Sequence, residues 1–414
     1  MMGERISRPE YMKRLIEYKD KEVVKIVTGI RRSGKSTVLD LFEDYLLESG
    51  VPTENIIHMN MESLRYREMT EHIPFYEYVS GRIVPDTKNY LIFDELQAVT
   101  HWEKAIESFR LDFDVDIYIT GSNAYMLSSE FSTLLSGRYV EIKMLPLSFK
   151  EFLTFYEFAS DVTMDDKFQK YLQFGGMPTL RQFQFNEARS FEALEGIYNT
   201  VILQDVLKRN PMADQALLQK LVLFLCDNIG SITSPNNIGN VLTDEGDILK
   251  VKKRAGKGIA GKTVDKYIRM LRSAFIIYAA DRYDVKGKQL LKTLEKNYII
   301  DLGFRNMLLG FRNADRGHLL ENVVYLELLR RDYRVHIGKV GDTEVDFVAE
   351  KPSEKLYVQV TESMLSETVR DRELRSLNAI RDNYEKIILS MDRSYITSYD
   401  GIKTLNIMDF LLSD

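Results

Sequence analysis

Nine residues constrain this chain more than any others: Gly29-Ile30-Arg31-Arg32-Ser33-Gly34-Lys35-Ser36-Thr37. An apolar run, residues 23–28, leads into them, and a helical pattern, residues 38–47, leads out. A G-x-x-x-x-G-K-S spacing between a strand and a helix is a phosphate-binding loop in its required context. The glycines let the backbone curl until its N–H groups point inward, and the new helix turns its positive end toward the same anion. Lys35 is then expected to reach the outer phosphates and the Ser36 hydroxyl to hold Mg²⁺.

A second passage supplies what such a loop lacks. Tyr90-Leu91-Ile92-Phe93 runs into two adjacent acids, Asp94 and Glu95. A continuous apolar run reads as a strand buried on both faces, and acids at its C-terminal end fall where ligands sit in open α/β sheets. Asp94 is expected to hold Mg²⁺ through water and Glu95 to activate the attacking water. A further strand, residues 115–120, runs into Gly121-Ser122-Asn123. Either Ser122 or Asn123 is expected to sense the γ-phosphate, a role compatible with capping the next turn. A helix is expected to run on to Leu135. Arg138 stands just before a fifth strand, residues 139–143, where a guanidinium could act as an arginine finger, in cis or from a neighbour.

Composition excludes several classes. The 414 residues are 44% hydrophobic and 29% charged, ordinary globular values that suggest two to four domains. The single cysteine, Cys226, lies in an apolar run, so a disulfide framework is excluded and a reducing cytoplasm fits. No stretch approaches the ~18 apolar residues of a membrane span, and the charged N-terminus has no apolar signal core. The five histidines are scattered without ligand spacing, which argues against a zinc site. A net charge of −6 rules out polyanion binding by bulk charge and leaves only a local basic region for it.

The motifs resemble the AAA-type ATPases, and more closely a bacterial and archaeal subgroup of archaeal-ATPase-like proteins with a C-terminal domain of unknown function. The resemblance runs over residues 26–152 and rests on Gly-Ile-Arg-Arg-Ser-Gly-Lys-Ser, Phe-Asp-Glu-Leu-Gln, Ile-Thr-Gly-Ser-Asn and Leu-Pro-Leu-Ser-Phe-Lys-Glu-Phe. The first two look like Walker A and Walker B. The resemblance implies ATP and Mg²⁺ as ligands, a parallel sheet of order 5-1-4-3-2, and Glu95 as the catalytic acid. It also implies that Asn60, ending the second strand, restrains that acid. Phe174-Gly175-Gly176-Met177-Pro178 resembles the lid turn of related archaeal ATPases, which lies near the nucleotide; by itself it is a turn.

Beyond residue 215 the pattern changes to helix, helix, basic helix and β-hairpin, the order of a winged helix. Between Lys250 and Lys292 there are thirteen Lys or Arg against three acids in a chain that is acidic overall. Lys252, Lys253, Arg254, Lys262, Lys266, Arg269, Arg272, Lys286 and Lys288 are the candidates for contact with duplex DNA, a salt-dependent contact with little sequence reading. The competing reading is a solvated charged face that touches protein.

The tail mixes helix and strand and looks like the restriction-endonuclease fold. Asp346 matches its signature Asp, and Glu321 matches a helix carboxylate. Gln359 and Thr361 stand where that signature has an acid and a lysine. Metal-assisted hydrolysis needs carboxylates for the metal and a lysine on the scissile phosphate, so the tail is expected to be a vestigial, binding-only version.

The expected organisation is an α/β AAA-type core at 1–152, a helical lid at 153–214, a winged helix at 215–302 and a degenerate nuclease-like domain at 303–414. Three functions compete: a cytoplasmic ATPase acting on DNA, a slow nucleotide switch for a protein partner, and an ATP-gated nuclease. A homo-oligomer fits all three, and a membrane fits none.

Overall fold

The computed structural model describes residues 5–127, 137–248, 258–312, 315–393 and 396–413. The chain forms two compact units: Met1–Pro146 with Ser273–Phe275, and Leu147–Arg272 with Ile276–Asp414.

The first unit is built on β1 (Val24–Thr28), β2 (Ile56–Asn60), β3 (Asn89–Asp94), β4 (Val115–Gly121) and β5 (Tyr139–Lys143). All pairs are parallel and the order is β2-β3-β4-β1-β5, which is the expected 5-1-4-3-2. Every residue of β1 and β3 is buried, as their mostly apolar runs require of strands covered on both faces. On one face α2 (Lys35–Glu48) lays Val38, Leu39, Phe42 and Leu46 against Ile92 and Tyr118. On the other, α3 (His72–Ser80) and α4 (Trp102–Asp112) bring Phe75 and Phe109 onto Phe93. One lysine breaks the apolar pattern of β1. Lys25 is fully buried and pairs with Asp116 of β4, whose other oxygen accepts from Asp20 N (2.8 Å) and the Tyr118 hydroxyl (2.9 Å). A buried cation is tolerable only when paired and hydrogen-bonded in this way.

The second unit begins with α5 (Phe149–Phe155) and α6 (Met164–Phe174), each opened by a capping box, Ser148 with Glu151 and Thr163 with Asp166. Next comes α7 (Glu187–Thr200), which runs into a π-helical stretch, Val201–Leu207. Then come α8 (Gln215–Asp227), β6 (Ile232–Thr233), α9 (Pro235–Ile248), α10 (Gly261–Ser273), β7 (Ile277–Asp284) and β8 (Gln289–Ile299). Both β6 and β7 pair antiparallel with β8. After α11 (Leu302–Leu309) and α12 (Arg316–Arg330) the tail adds β9 (Arg334–Val340), β10 (Thr343–Lys351), β11 (Glu354–Val360), α13 (Glu367–Asn378), β12 (Glu385–Ser390), β13 (Ser398–Tyr399), β14 (Ile402–Asn406) and α14 (Ile407–Leu412).

One nine-stranded sheet, β13-β14-β12-β11-β10-β9-β7-β8-β6, crosses the boundary expected at residues 302 and 303. Beyond a register shift between Asp281 and Tyr283, β7 keeps its pairing with β8, Tyr283 opposite Leu290, and its other edge pairs in parallel with β9, Arg282 opposite Ile337. The helix expected to reach Leu135 falls largely outside the described residues.

The Gly175-Gly176 turn is explained within the second unit. Buried Asp301 accepts from Gly176 N at 2.6 Å and from Gly303 N at 2.9 Å. A Cβ on Gly175 would lie 2.0 Å from an Asp301 oxygen, and one on Gly176 would lie 2.4 Å from the Leu147 carbonyl. Burial pushes the Asp301 carboxyl up from 3.8 to about 6, against the pull of the backbone N–H donors. Its folded value therefore exceeds its unfolded one. The stability it contributes is present below pH ~4 and is lost as pH rises through about 6. Asp301→Asn is expected to flatten the pH dependence of urea unfolding between pH 4 and 7, by up to roughly 3 kcal/mol. Parallel curves for the two proteins would remove Asp301 as the source.

Candidate active site

The phosphate loop leaves β1 between β4 and β5, with β3 one strand beyond β4. Gly29 has φ of 151°, and a Cβ there would meet the Met144 carbonyl at 2.2 Å. Gly34 is left-handed (φ 100°) and caps α2 without a side-chain hydrogen bond, which leaves the first N–H groups of the helix for an anion. Arg32 is also left-handed and exposed, while Arg31 pairs with Glu62 at 2.9 Å. Ile30 and Ser33 are buried and brace the loop, and Ser36 and Thr37 open the helix, with Ser36 exposed. The Lys35 ammonium is buried and donates to the loop's own carbonyls, Gly29 O at 2.9 Å and Ile30 O at 3.2 Å. Arg8 clamps the loop from outside: its guanidinium donates to Ser33 O (3.1 Å), Leu145 O (2.8 Å) and Pro146 O (3.3 Å). That accounts for part of the Leu-Pro-Leu-Ser-Phe motif, whose first residues wall the loop. The Arg8 signal was present in sequence only as one arginine before a proline.

Two acids converge on the loop. Glu95 Oε1 lies 3.9 Å from the Lys35 ammonium. Its other oxygen accepts from the Ser122 hydroxyl at 3.1 Å and from the Gln97 amide. The Glu95 backbone is left-handed (φ 54°), and its N–H donates to Thr120 Oγ1 at 2.9 Å. A non-glycine residue held in that region stores strain of about 1–3 kcal/mol, and such strain clusters at functional sites. Asp94 is buried with its oxygens taken by the Thr120 hydroxyl and by Asn60 Nδ2, the latter at 2.7 Å. This corrects the expectation for Asn60: its amide restrains Asp94, because it ends β2 directly opposite Asp94 in the β2–β3 register, while Gln97 and Ser122 restrain Glu95.

Of the two sensor candidates, Ser122 touches Glu95. Asn123 is fully buried and its carbonyl accepts from Met126 N at 3.2 Å. Arg138 needs a second correction. It precedes β5 level with Val24, whose N–H donates to its carbonyl, at the end of the sheet away from the loop. Four residues of strand, roughly 13 Å, separate that level from Thr28. Its exposed guanidinium pairs with Glu107 of α4 at 3.2 Å, so it is no finger for its own site. The donors present suit a hard divalent cation: the Ser36 hydroxyl and the Asp94 carboxylate are oxygen ligands of the kind Mg²⁺ selects.

In the second unit, α10 exposes Lys262, Lys266 and Arg269 on one face, at helical spacing. Arg269 also pairs with Asp265 at 2.8 Å. Arg272, on the next turn, is corrected: it folds inward to Glu295 and Asn297, so its charge is spent on β8. Lys286 and Lys288 are exposed in the β7–β8 turn. Lys252, Lys253 and Arg254 lie outside the described residues.

The tail gathers a second cluster. Glu321 of α12, Glu344 and Asp346 of β10 surround the ammonium of Lys296 at 2.9, 2.8 and 3.6 Å. The Tyr298 hydroxyl donates to Glu321 at 2.6 Å, and Gln359 Oε1 accepts from Asp346 N at 3.3 Å. Thr361 N–H donates to Leu389 O at 2.9 Å, at the end of β11. Burial opposes the charge on Lys296, yet the three carboxylates hold its pKa above the ordinary lysine value. Burial and the neighbouring Glu321 push Asp346 upward, with Lys296 pulling the other way. Three acids sharing one cation leave a surplus of negative charge, which a proton on Asp346 relieves. The cation that pairs with these acids comes from β8, twenty-five residues from Glu321 and fifty from Asp346 in the chain. No periodicity or local motif marks it.

An AAA domain model matches residues 21–153, and a model of a domain of unknown function (DUF8612) matches residues 165–315. An uncharacterized protein of Haemophilus influenzae is 39% identical over 409 residues, 98% of this chain and 98% of its own. This chain belongs to its family. A second relative, the uncharacterized protein MJ1544 of Methanocaldococcus jannaschii, is 27% identical over 377 residues, 87% of this chain and 79% of its own. Among solved structures, the Walker-type ATPase PABY2304 of Pyrococcus abyssi aligns with a TM-score of 0.48 at 16% identity, covering 73% of this chain and 95% of that one. The AAA match and the phosphate loop that ends β1 of a parallel sheet make the first unit a P-loop ATPase domain. Among the described residues, no helix is long and apolar enough to cross a membrane.

Proposed function

We propose that the chain is a Mg²⁺-dependent ATPase whose hydrolysis repositions a DNA-contacting basic helix. The observation that carries the first half is Glu95, held by Ser122 and Gln97 and facing the Lys35 ammonium at 3.9 Å. The residues 29–37 cradle the phosphates, and Ser36 and Asp94 hold the cation that neutralises phosphate charge. Glu95 takes a proton from water as the water oxygen bonds to the γ-phosphorus and the bond to the β-phosphate oxygen breaks, giving ADP and phosphate. Lys35, released from Gly29 and Ile30 carbonyls, turns to the phosphates. Ser122, tied to Glu95, reports the γ-phosphate to the end of β4.

The second half rests on α10. The order α8-β6-α9-α10-β7-β8, with β6 and β7 both on β8, is that of a winged helix, and α10 stands in the place of its recognition helix. Lys262, Lys266 and Arg269 offer phosphate contacts with no base-edge reader among them, which favours duplex DNA bound without sequence preference. Duplex DNA is expected to stimulate ATP turnover at low salt. Replacing Lys262, Lys266 and Arg269 together by Ala is expected to weaken DNA binding at least tenfold and to reduce the salt slope by about 2–3. Unchanged turnover with DNA, together with an unchanged salt slope in the triple variant, would favour a nucleotide switch with a protein partner. The tail we read as a degenerate restriction-endonuclease-like domain, because the Lys296 ammonium lies where metal hydrolysis between Glu321 and Asp346 would need a cation. Nicking of plasmid with Mg²⁺ or Mn²⁺ that disappears in Asp346→Ala would reverse that reading.

A further inference from the structure

Arg8 has no part in the reading so far beyond bracing the loop. It is 2% exposed, and its backbone is pinned where it stands. It caps α1 (Pro9–Glu17), and its carbonyl accepts from Tyr11 N and Met12 N, both at 3.1 Å. Pro9 at the next position keeps residue 8 out of helical backbone. The guanidinium lies over the Tyr11 ring, 4.5 Å from its centroid, and the Tyr11 hydroxyl accepts from Leu145 N at 3.1 Å. A helix start thus delivers a buried cation to one spot beside the loop.

What it does there follows from its acceptors. Nη1 donates to Ser33 O and Leu145 O together, and Nη2 donates to Pro146 O. Residues 144–146 form a wall fixed to the loop's entry: Met144 N donates to Thr28 O at 2.7 Å, and the Met144 carbonyl lies 2.2 Å from where a Gly29 Cβ would be. Arg8 therefore ties a fixed wall to the loop carbonyl whose peptide leads into Gly34. A trans peptide points its C=O and its N–H in opposite directions. With the Ser33 carbonyl drawn to Arg8, the Gly34 N–H is turned to the far side. That N–H stands at the head of α2, where a loop of this spacing presents its donors to phosphate. Taking a guanidinium out of water is costly, and packing alone would be served by an apolar side chain.

We propose that Arg8 is a positioning residue of the nucleotide site: it holds the Ser33–Gly34 peptide so that the Gly34 N–H faces the α- and β-phosphates. The proposal rests on residues 29–37 being the phosphate cradle. Arg8 itself touches no phosphate. Its planar fork serves the loop and the wall at once, a geometry that the point donor of a lysine does not reproduce. Two cations then have separate tasks. Lys35 brings charge to the outer phosphates, and Arg8 shapes the backbone that receives the inner ones. The effect falls on affinity, because the α- and β-phosphates are common to ATP and ADP.

The test uses the full chain and follows equilibrium binding of mant-ATP and mant-ADP and steady-state phosphate release, with urea unfolding as the check on the fold. Arg8→Met is expected to weaken both nucleotides by about tenfold, the worth of one hydrogen bond to a charged group. KM for ATP is expected to rise by a similar factor while kcat stays within about threefold, as when binding common to ground and transition states is lost. Arg8→Lys keeps the charge and is expected to fall between Arg8→Met and the parent. Tyr11→Phe loosens the same wall without touching the loop and is expected to bind both nucleotides as the parent does. A merely structural Arg8 would lower the folded fraction and leave the affinity of the folded protein alone. Three results overturn the proposal: affinity within about twofold of the parent in both Arg8 variants, a loss for ATP that ADP does not share, or an equal loss in Tyr11→Phe. If Arg8→Met fails to fold, Arg8→Lys decides alone: a loss of about threefold or more for both nucleotides supports the proposal, and a smaller one overturns it. Lys35→Ala separates the two layers. If it loses nucleotide while the Arg8 variants bind as the parent does, only the role of Arg8 fails. If Lys35→Ala binds as the parent does, the cradle assignment fails and the proposal falls with it.

Discussion

Glu95→Gln is expected to lower kcat for ATP by a factor of ~10²–10⁴, the usual contribution of a positioned general base, while nucleotide binding stays intact. The expectation follows from geometry. The carboxylate is buried, aimed by Ser122 and Gln97, and near the Lys35 ammonium, but it bears none of the backbone of the phosphate cradle. Gln fills the same space and keeps an acceptor for Ser122, yet takes no proton. Lys35→Ala should behave differently. Its ammonium is the cation of the loop, so its loss removes affinity together with turnover. Phosphate release measured beside equilibrium nucleotide binding distinguishes the two variants. A Glu95→Gln rate within tenfold of the parent would move the base to another residue.

Lys296→Met is expected to destabilise the second unit by roughly 3–5 kcal/mol, the cost of breaking a buried ion cluster on one side only. The ammonium holds Glu321, Glu344 and Asp346 at 2.8–3.6 Å. Without it the acids repel one another in a poorly solvated site, and protonation is their remaining relief. The sign of the pH dependence follows. Asp346 is already raised above its ordinary value by burial and by Glu321, and losing Lys296 raises it further. A raised carboxyl contributes stability at low pH that is lost as pH rises through its folded value. The variant should therefore lose more stability at pH 8 than at pH 5, read by urea unfolding at the two values. An equal loss at both would mean that Lys296 acts through packing of its methylenes and not through charge.

Much of the nucleotide site was legible in the sequence because its determinants are local. A phosphate loop needs glycines at set offsets from a lysine and a helix start. A buried parallel strand needs an apolar run, and the chain carries both as contiguous text. The same locality put Glu95 at a strand end and basic residues on one face of α10. That Arg138 does not serve its own site was hidden for the opposite reason. A residue just before a strand can face either end of a parallel sheet, and only the register of β5 on β1, Tyr139 opposite Val24, shows which. Asn60 was assigned to the neighbouring acid because adjacent positions at a strand end point to opposite sides. One step along β3 separates Asp94 from Glu95. Arg272 lies on the basic side of its helix by composition, but a partner on β8 draws it in.

By itself the sequence determined the parts of a P-loop ATPase unit: its buried strands, the loop that receives phosphate and the two acids at a strand end. Those features follow from short-range sterics and periodicity, which any stretch of chain expresses without knowing its neighbours. The tertiary structure alone decided how distant residues complete the sites. It brought Arg8 onto the Ser33 carbonyl, Asp301 onto the Gly175-Gly176 turn, and Lys296 among Glu321, Glu344 and Asp346. It also joined β7 to β9, so that one sheet runs through what the sequence divides into two. Each of these contacts links residues far apart in the chain. Their pairing is set by which buried charges and strand edges must find partners once the cores close, a condition that exists only in the folded whole.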